Sequence, residues 1–378
     1  MVEDADGLLV EEFRVRGSIV VEGVLGPDAV EACRAGLHAD LHALGVDHAT
    51  IVKAAEDGAP LPDAIRVALQ SVQSHTSGAF PLPFSQWRLE HCATNERLAS
   101  LHQRLWQLYA DGEDQNFQSP WAGTFDPTTE NGTPILDGVG YRIPSSLVVA
   151  EDDSLLQAGI GMHFDLSPWA PWAAFDVRAP WRDVRASWGQ KKTNEISWQI
   201  WRPIQCFIAL TPGRFECCAG VHADWDELFA TADDERSLLS GKKPFYGRHY
   251  SLHPWRKRYQ ERLKPYLTSL DFKAGDAVLW DARTPHRTSP TLEGARTREV
   301  VYSSFLPPTT DNKRYAYEQA TCLRDGTFPP CQAFGVSPIV KSGGAVPGWR
   351  AGAEDSLSPF ARSLLAPMPA TTTSAGET

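Results

Sequence analysis

The sequence predicts an α+β protein in which helices come first and a mainly antiparallel β core, of the sandwich or barrel type, follows. Three observations support this class. Apolar residues recur at helical spacing in the first third of the chain, and β-branched or aromatic runs bounded by Gly, Pro and Asp dominate from about residue 136. The chain shows no internal repeat. Helices followed by strands favour a single α+β domain over alternating βα units.

The first third of the chain carries one short strand and two clear helices. The run SIVVEGVL (18–25) reads as a strand, and Gly-Pro-Asp at 26–28 then starts a helix. Proline suits the first helical turn, and the acid suits the positive end of the helix dipole. Apolar residues recur at helical spacing until Gly45, and a second leucine stripe predicts a helix over 94–112.

From about residue 136 the pattern changes to that of strands. The six strand-like runs are GVGYRI (138–143), SSLVVA (145–150), LLQAGIGMHF (155–164), ISWQIWRPIQCFIAL (196–210), DAVLWD (276–281) and REVVYSSFL (298–306). Helical inserts are predicted at 223–240 and 253–268, and a polar helix at 311–324. We expect one domain over residues 1–308, an extension over 309–366 on the core or over the active site, and a disordered tail over 367–378.

Composition narrows the function classes. The 36 basic and 47 acidic residues give a net charge of −11, which argues against nucleic-acid or anionic-membrane binding. No apolar run approaches the roughly 18–20 residues that span a bilayer, and the acidic start MVEDADG is unlike a signal peptide. Seven cysteines at irregular spacing suit neither a disulfide framework nor a zinc site, so we expect reduced thiols in a cytoplasmic protein.

The stretch GIGMHFDLSPW (159–169) holds a candidate metal motif. Strand side chains alternate, so His163 and Asp165 point to the same side. An imidazole and a carboxylate are two of the three ligands of the facial site in non-haem Fe(II) oxygenases, and a second histidine completes it. His286 follows a short apolar strand in GDAVLWDARTPHRTSP (275–290). An H-x-D pair alone also fits a surface or capping pair.

A possible carboxylate anchor follows the second histidine. The run GARTREVVYSSFL (294–306) places Arg296 and Arg298 at the head of another strand. A guanidinium pairs with a carboxylate through two hydrogen bonds and keeps its charge in proteins. The two arginines share one alternation parity, so periodicity does not choose between them.

Taken in order, these motifs resemble the Fe(II)/2-oxoglutarate-dependent dioxygenases, and among them the phytanoyl-CoA dioxygenase-like family. The matching pieces are EEFRVRGSIVVEGVLGPDAVEACRAGL (11–37), the H-x-D pair, CFIALTPGRFECCAGVH (206–222), AGDAVLWDARTPHRTSP (274–290) and the arginine-headed strand. The resemblance spans roughly residues 12–308, which is most of the chain. It implies a double-stranded β-helix (jelly-roll) core, with the N-terminal and inserted helices packed outside.

The resemblance also implies a site. Fe(II) would be held by His163, Asp165 and His286. Arg298 would bind the distal carboxylate of 2-oxoglutarate and is preferred over Arg296 because it directly precedes EVVYSSFL. The remaining co-substrate candidate is Thr288, two residues after the second histidine, where such enzymes often place a hydroxyl.

The implied reaction consumes O₂ and 2-oxoglutarate and releases succinate and CO₂. Three protein ligands leave coordination positions for both molecules. A carboxylate at Asp165, where related halogenases have a small residue, argues for hydroxylation or another oxidation that starts with hydrogen abstraction.

The substrate is open at this stage. Segment 166–201 is rich in tryptophan, and Trp169, Trp172 and Trp198 could line a substrate pocket or simply pack an insertion onto the core. We expect a small-molecule substrate, a polar metabolite or natural product, and a monomer or homodimer. Two alternatives stay open: a cupin-like metal enzyme that does not use 2-oxoglutarate, and a catalytically silent jelly-roll binding protein.

Overall fold

The chain is a mixed helical and antiparallel β protein in a computed structural model, as the α+β prediction requires. The described residues are 5–73, 78–110, 114, 117, 123–148, 157, 161–164, 201–224, 228, 250–251, 257–288, 295–329, 338–341 and 343–365. The α-helices among them are α1 (Ala5–Arg16), α2 (Pro27–Ala43), α3 (His48–Asp57), α4 (Asp63–Val72), α5 (Gln86–Arg88), α6 (Glu96–Ala110), α7 (Lys257–Leu263), α8 (Thr310–Asp325), α9 (Pro338–Lys341) and α10 (Pro359–Leu365).

The strands form two main antiparallel sheets and one separate pair. They are β1 (Ser18–Val21), β2 (Ala79–Phe80), β3 (Thr133–Pro134), β4 (Val139–Arg142), β5 (His163–Phe164), β6 (Ile204–Ala209), β7 (Gly213–Cys218), β8 (Tyr250–Ser251), β9 (Leu267–Phe272), β10 (Ala277–Asp281), β11 (His286–Thr288), β12 (Arg298–Tyr302) and β13 (Phe305–Leu306). The larger sheet has the order β1-β10-β6-β12-β4-β2, the smaller has β8-β5-β11-β7-β9, and β13 pairs with β3.

The two sheets share an apolar core. Phe207 of β6, Trp280 of β10 and Val300 of β12 belong to the same buried cluster as Phe215 and Cys217 of β7. Because side chains alternate along a strand, this cluster defines the face of each sheet that looks into the space between them. We call this space the inter-sheet interior.

The opposite face of the larger sheet is covered by helices. Ile19, Cys206 and Leu279 on this face share a core with Leu37 of α2 and Leu105 of α6. The helices therefore bury the outer face of the larger sheet, and successive residues of β12 alternate between the helical layer and the inter-sheet interior.

Most sequence-predicted elements that fall on described residues are confirmed. Helix α2 ends at Ala43, next to the predicted stop, and α8 covers the whole of the polar helix predicted at 311–324. The prediction of a strand over SSLVVA is wrong at the described residues 145–148, because Ser145–Leu147 forms a 3₁₀ helix directly after Pro144. Serine and proline favour such turns, and this local preference outweighs the apolar residues that follow.

The helical insert predicted at 253–268 is only partly correct. Helix α7 ends at Leu263, and Leu267 already begins β9, which pairs with β7. Pro265 separates the two elements, since proline within a helix removes a backbone donor and clashes with the preceding turn. The insert predicted at 223–240 lies almost entirely outside the described residues.

Part of the C-terminal extension packs on the first half of the chain. Leu323 of α8 and Leu365 of α10 share a buried cluster with Phe84, Leu89 and Leu136. The extension therefore contributes to the folded core where it is described, while the domain boundary at residue 308 stays a prediction. The tail over 367–378 lies outside the described residues.

Two observations bear on membrane and redox chemistry. None of the helices in the described part of the chain is both long and apolar enough to cross a membrane. The six cysteines in that part are free thiols, and burial raises the pKa of Cys206, which keeps this thiol protonated.

Candidate functional site

Two of the three predicted metal ligands lie next to each other on the smaller sheet. His163 of β5 is the direct cross-strand partner of His286 of β11, although 123 residues separate them in the chain. Their ring centroids are 4.4 Å apart, and both side chains are buried. On its other side His286 pairs with Cys217, which faces the inter-sheet interior. Both imidazoles therefore open into that interior.

Backbone carbonyls orient both rings in the same way. The Nδ1 atom of His163 lies 2.8 Å from the carbonyl oxygen of Gly161, and Nδ1 of His286 lies 3.0 Å from that of Thr284. A carbonyl only accepts, so each Nδ1 carries the proton and each ring has its lone pair on Nε2. This is the arrangement by which proteins orient metal-binding histidines.

A buried polar network supports the turn that carries His286. The guanidinium of Arg283 donates two hydrogen bonds to the carboxylate of Asp281, at 2.9 and 2.7 Å, its backbone N–H donates a third at 2.8 Å, and the Tyr109 hydroxyl donates a fourth at 2.6 Å. Burial alone would raise the pKa of Asp281, but the adjacent Arg283 holds it below its ordinary value. The backbone N–H of Thr284 donates to the Asp281 carbonyl, so this network positions the carbonyl that orients His286.

Aromatic rings from both sheets enclose His286. The Trp280 ring centroid lies 4.9 Å away and that of Phe215 lies 5.6 Å away, nearly parallel to the imidazole. The Trp280 indole N–H is buried and has no hydrogen-bond partner within the described structure. A buried N–H without a partner is costly, so this group is suited to donate to a polar ligand in the inter-sheet interior.

Arg298 enters the same interior from the larger sheet. It has the parity of Val300 on β12, and its guanidinium carbon lies 5.2 Å from the ring centroid of Phe207. The side chain is only 3% exposed, and burial lowers the pKa of its guanidinium. Among the described residues no carboxylate forms an ion pair with Arg298, and its Nε lacks a hydrogen-bond partner. The fold thus keeps a buried cation facing an aromatic interior.

A second arginine, which the sequence analysis did not select, accompanies it. Arg142 of β4 is the direct cross-strand partner of Arg298, so both side chains lie on one face of the sheet. Burial first and Arg298 second lower the pKa of Arg142 to about 10. Its guanidinium donates to the carbonyl oxygen of Gln157 from Nε at 2.9 Å and from a terminal nitrogen at 2.6 Å. Two adjacent buried guanidiniums make this part of the interior an environment for an anion.

A sequence signal for Arg142 and Trp280 exists in retrospect. Arg142 is the single charged residue of the apolar strand run GVGYRI, and a buried strand is an unusual place for a charge. Trp280 ends an apolar run a few residues before His286. Neither signal shows which face of the sheet the side chain occupies, and that depends on the strand pairing.

The remaining predicted site residues differ in where they lie. Thr288 is half-buried and shares the face of His286 on β11, whereas Arg296 is exposed and precedes β12. Asp165, the third predicted metal ligand, lies outside the described residues, as do the substrate candidates Trp169, Trp172 and Trp198. The structure thus places two histidines and one arginine at the interior, and the full metal site stays a prediction.

Comparison with known proteins finds relatives by structure. No protein-family model matches the chain, and no curated protein matches it. A provisionally assigned oxidoreductase from Salmonella typhimurium LT2 matches with a TM-score of 0.61 at 19% identity, over 97% of this chain and 83% of its own. The hypothetical protein JW0805 from Escherichia coli matches with a TM-score of 0.60 at 18% identity, over 94% and 81%.

Non-haem iron enzymes also occur among the matches. The epimerase SnoN, in complex with Fe³⁺, alpha-ketoglutarate and nogalamycin RO, matches with a TM-score of 0.38 at 14% identity, over 80% of this chain and 84% of its own. The similarities to the Salmonella typhimurium and Escherichia coli proteins show a shared overall fold. The similarity to SnoN is too low to support an argument about this chain, so a functional assignment depends on the residues themselves.

Proposed function

We propose that this chain is a non-haem Fe(II)- and 2-oxoglutarate-dependent oxygenase with a jelly-roll core. In this proposal His163, Asp165 and His286 hold the iron, and Arg298 binds the distal carboxylate of 2-oxoglutarate. The substrate is a small molecule, a polar metabolite or natural product, which is oxidised with release of succinate and CO₂.

One observation carries the proposal: two carbonyl-oriented histidines and a buried arginine face the same inter-sheet interior. The histidines are adjacent across the β5–β11 pair, with ring centroids 4.4 Å apart. Arg298, 3% exposed, enters from the other sheet. Among the described residues its polar partner is the Tyr302 side chain and no carboxylate pairs with it; burying a guanidinium in that state is costly, and a dicarboxylic ligand would offset that cost. The two facing antiparallel sheets support the jelly-roll part of the proposal.

Each residue has a defined task in this proposal. When bound, iron and 2-oxoglutarate supply O₂-dependent oxidation of an unactivated C–H bond. His163 and His286 present Nε2 because their Nδ1 protons are held by the carbonyl oxygens of Gly161 and Thr284. Arg298, with its planar fork of donors, orients the co-substrate.

The surroundings of the site complete this account. The rings of Trp280 and Phe215 pack against His286, which is itself buried. The indole N–H of Trp280 is available to donate to a ligand oxygen. Arg142 adds a second positive charge beside the proposed carboxylate site.

The test is an anaerobic titration of the metal-free protein with Fe(II) and then 2-oxoglutarate, followed by visible absorbance. A charge-transfer band that requires both additions is expected for the wild type. It is expected to disappear in Asp165→Ala and in His286→Ala. His42→Ala is the matched control, because that histidine side chain is 73% exposed and lies on α2.

Each outcome distinguishes the candidates. Iron binding without a 2-oxoglutarate band would favour the cupin-like alternative and remove the role of Arg298. If neither Fe(II) nor 2-oxoglutarate binds, the catalytically silent binding protein is favoured. A band of full intensity in Asp165→Ala would disprove the assigned ligand set.

A further inference from the structure

A second cluster of metal-binding side chains lies on the other side of β12, away from the proposed iron site. Glu299 follows Arg298 and therefore faces the helical layer. Its Oε1 is 3.0 Å from Nε2 of His38 on α2 and 3.9 Å from Nδ1 of His48, the first residue of α3. All three candidate ligand atoms lie within 4.8 Å of one another.

The spacing of the ligand atoms suits one small cation. Two ligand atoms that each lie about 2.1 Å from a zinc ion are roughly 3–4 Å apart. The two distances to Glu299 fall at 3.0 and 3.9 Å. The imidazoles of His38 and His48 stack face to face at a centroid distance of 3.7 Å with their planes 14° apart, so one ring has to turn before both nitrogens bind the same ion. Two histidines and one carboxylate are a common donor set for zinc and related ions.

A neighbouring arginine orients the carboxylate. Nε of Arg34 donates to Oε2 of Glu299 at 2.9 Å, and a terminal nitrogen of the same guanidinium donates to Oε1 at 3.5 Å. Hydrogen bonds of this kind hold ligating carboxylates in place. The Tyr141 hydroxyl lies 2.9 Å from Nδ1 of His48, the nitrogen that faces Glu299, so an ion bound through this atom replaces that hydrogen bond.

An ion could reach this cluster from solvent. The Glu299 side chain is fully buried, whereas those of His38 and His48 are 24% and 20% exposed. The cluster is therefore open at the protein surface and closed toward the sheet.

We propose that His38, His48 and Glu299 form a binding site for a divalent transition-metal ion, which joins α2 and α3 to β12. This site is separate from the proposed iron site, since it lies on the opposite face of β12 and uses different ligands. Its role is structural: the ion fastens the helical layer to the strand that carries Arg298.

The alternative is a purely hydrogen-bonded network. Thr297 donates to Oε1 of Glu299 at 2.7 Å, and Arg34 forms an ion pair with the same side chain. These contacts could satisfy the carboxylate without a metal. The experiment therefore has to count ions, since a loss of stability alone would fit either case.

The probe is Zn²⁺, added to the full-length chain by dialysis in the presence of a weak competing chelator, with bound zinc measured by elemental analysis. His38→Gln and His48→Gln are each expected to bind one equivalent less than the wild type. Their affinity at this site should fall by more than the 10–100-fold typical for losing an outer-shell partner. His42→Gln, altered at the exposed histidine of the same helix, should bind as much as the wild type.

Circular dichroism and melting in excess chelator establish that each variant is folded before zinc is added. Zinc should raise the melting temperature of the wild type and of His42→Gln, and this shift should be lost in His38→Gln and His48→Gln. Equal zinc content in all four proteins would overturn the proposal, as would a wild type that binds no zinc outside the proposed iron site.

The proposed iron site does not affect this test. The criterion is the difference between His48→Gln and His42→Gln, and zinc in the proposed iron site adds equally to both. His286→Ala should keep the zinc held by the His38–His48–Glu299 site. If the iron site fails while this difference persists, only the proposed function is lost.

Discussion

Replacing Arg298 with methionine removes a buried guanidinium and keeps an unbranched side chain of similar reach. In the ligand-free protein this charge is 3% exposed and lies beside Arg142. The pKa of Arg142 falls from its ordinary 12.5 to about 10, through burial first and Arg298 second. Burial of Arg142 causes the larger part of this shift, so removing Arg298 relieves only the remaining repulsion between the two guanidiniums.

Arg298→Met is therefore expected to stabilise the ligand-free protein. Replacing buried ionic groups with apolar ones of similar volume often adds about 1–4 kcal/mol, and the aromatic surroundings of Arg298 favour a gain within that range. The lost contact with Phe207 lowers the gain but does not reverse its sign, because a methionine side chain also packs against an aromatic ring. The variant should be more stable but unable to bind 2-oxoglutarate.

The assay is urea unfolding at pH 7 with and without 2-oxoglutarate. At a ligand concentration 100-fold above its dissociation constant, the wild type should gain about 2.7 kcal/mol, and Arg298→Met should gain nothing. The matched control is Arg296→Met, an exposed arginine two residues earlier, which should stay within about 0.5 kcal/mol of the wild type in both conditions. If Arg298→Met is less stable than the wild type without ligand, or is still stabilised by 2-oxoglutarate, this reasoning is refuted.

Three further predictions concern stability. In Gly36→Ala, helix propensity favours alanine by about 1 kcal/mol, but the new Cβ would lie 2.8 Å from Cβ of Trp87 and closer still to its ring. We therefore expect the variant to lose about 1–3 kcal/mol of stability in thermal unfolding, and a more stable variant would contradict the steric argument. Asp281→Asn leaves Arg283 buried without its carboxylate and should cost about 3–5 kcal/mol in chemical denaturation, whereas an unchanged midpoint would contradict the assigned network. Burial lowers the pKa of His102 from 6.5 to about 4, so the stability that depends on its neutral form is complete above pH 6.5 and declines by about 3 kcal/mol as the pH falls to 4. The free energy of unfolding, measured at pH 7 and at pH 4, should therefore fall by about 3 kcal/mol less in His102→Leu than in the wild type.

Much of the secondary structure was accessible from the sequence because its signals are local. The proline and acid at the start of α2 and the leucine stripe of α6 depend on residues within a few turns of each other. Apolar runs such as DAVLWD likewise predict a buried strand from its own composition. Where a local signal was misread, as at Ser145–Leu147, a competing local preference explains the difference.

The candidate site likewise depends partly on local sequence signals and partly on contacts between distant residues. The sequence alone determined that His163 and Arg298 belong to strand-like runs and that His286 follows one, and a family resemblance then suggested their roles. The structure shows that His286 itself lies in a strand, β11, which the sequence did not predict. Only the tertiary structure decided that the two histidines are cross-strand partners, that Arg142 lies beside Arg298, and that both pairs face one interior.

The side chains on the two faces of β12 show why the sequence could not predict these contacts. Arg298 and Glu299 are adjacent in the chain, yet one enters the inter-sheet interior and the other meets His38 and His48 in the helical layer. Composition and periodicity determined that Arg298 and Glu299 lie in a strand and His38 in a helix, whereas α3, which begins at His48, was not predicted. Their partners were decided by strand register and helix packing, because a shift of one residue in the pairing would turn each side chain to the opposite face.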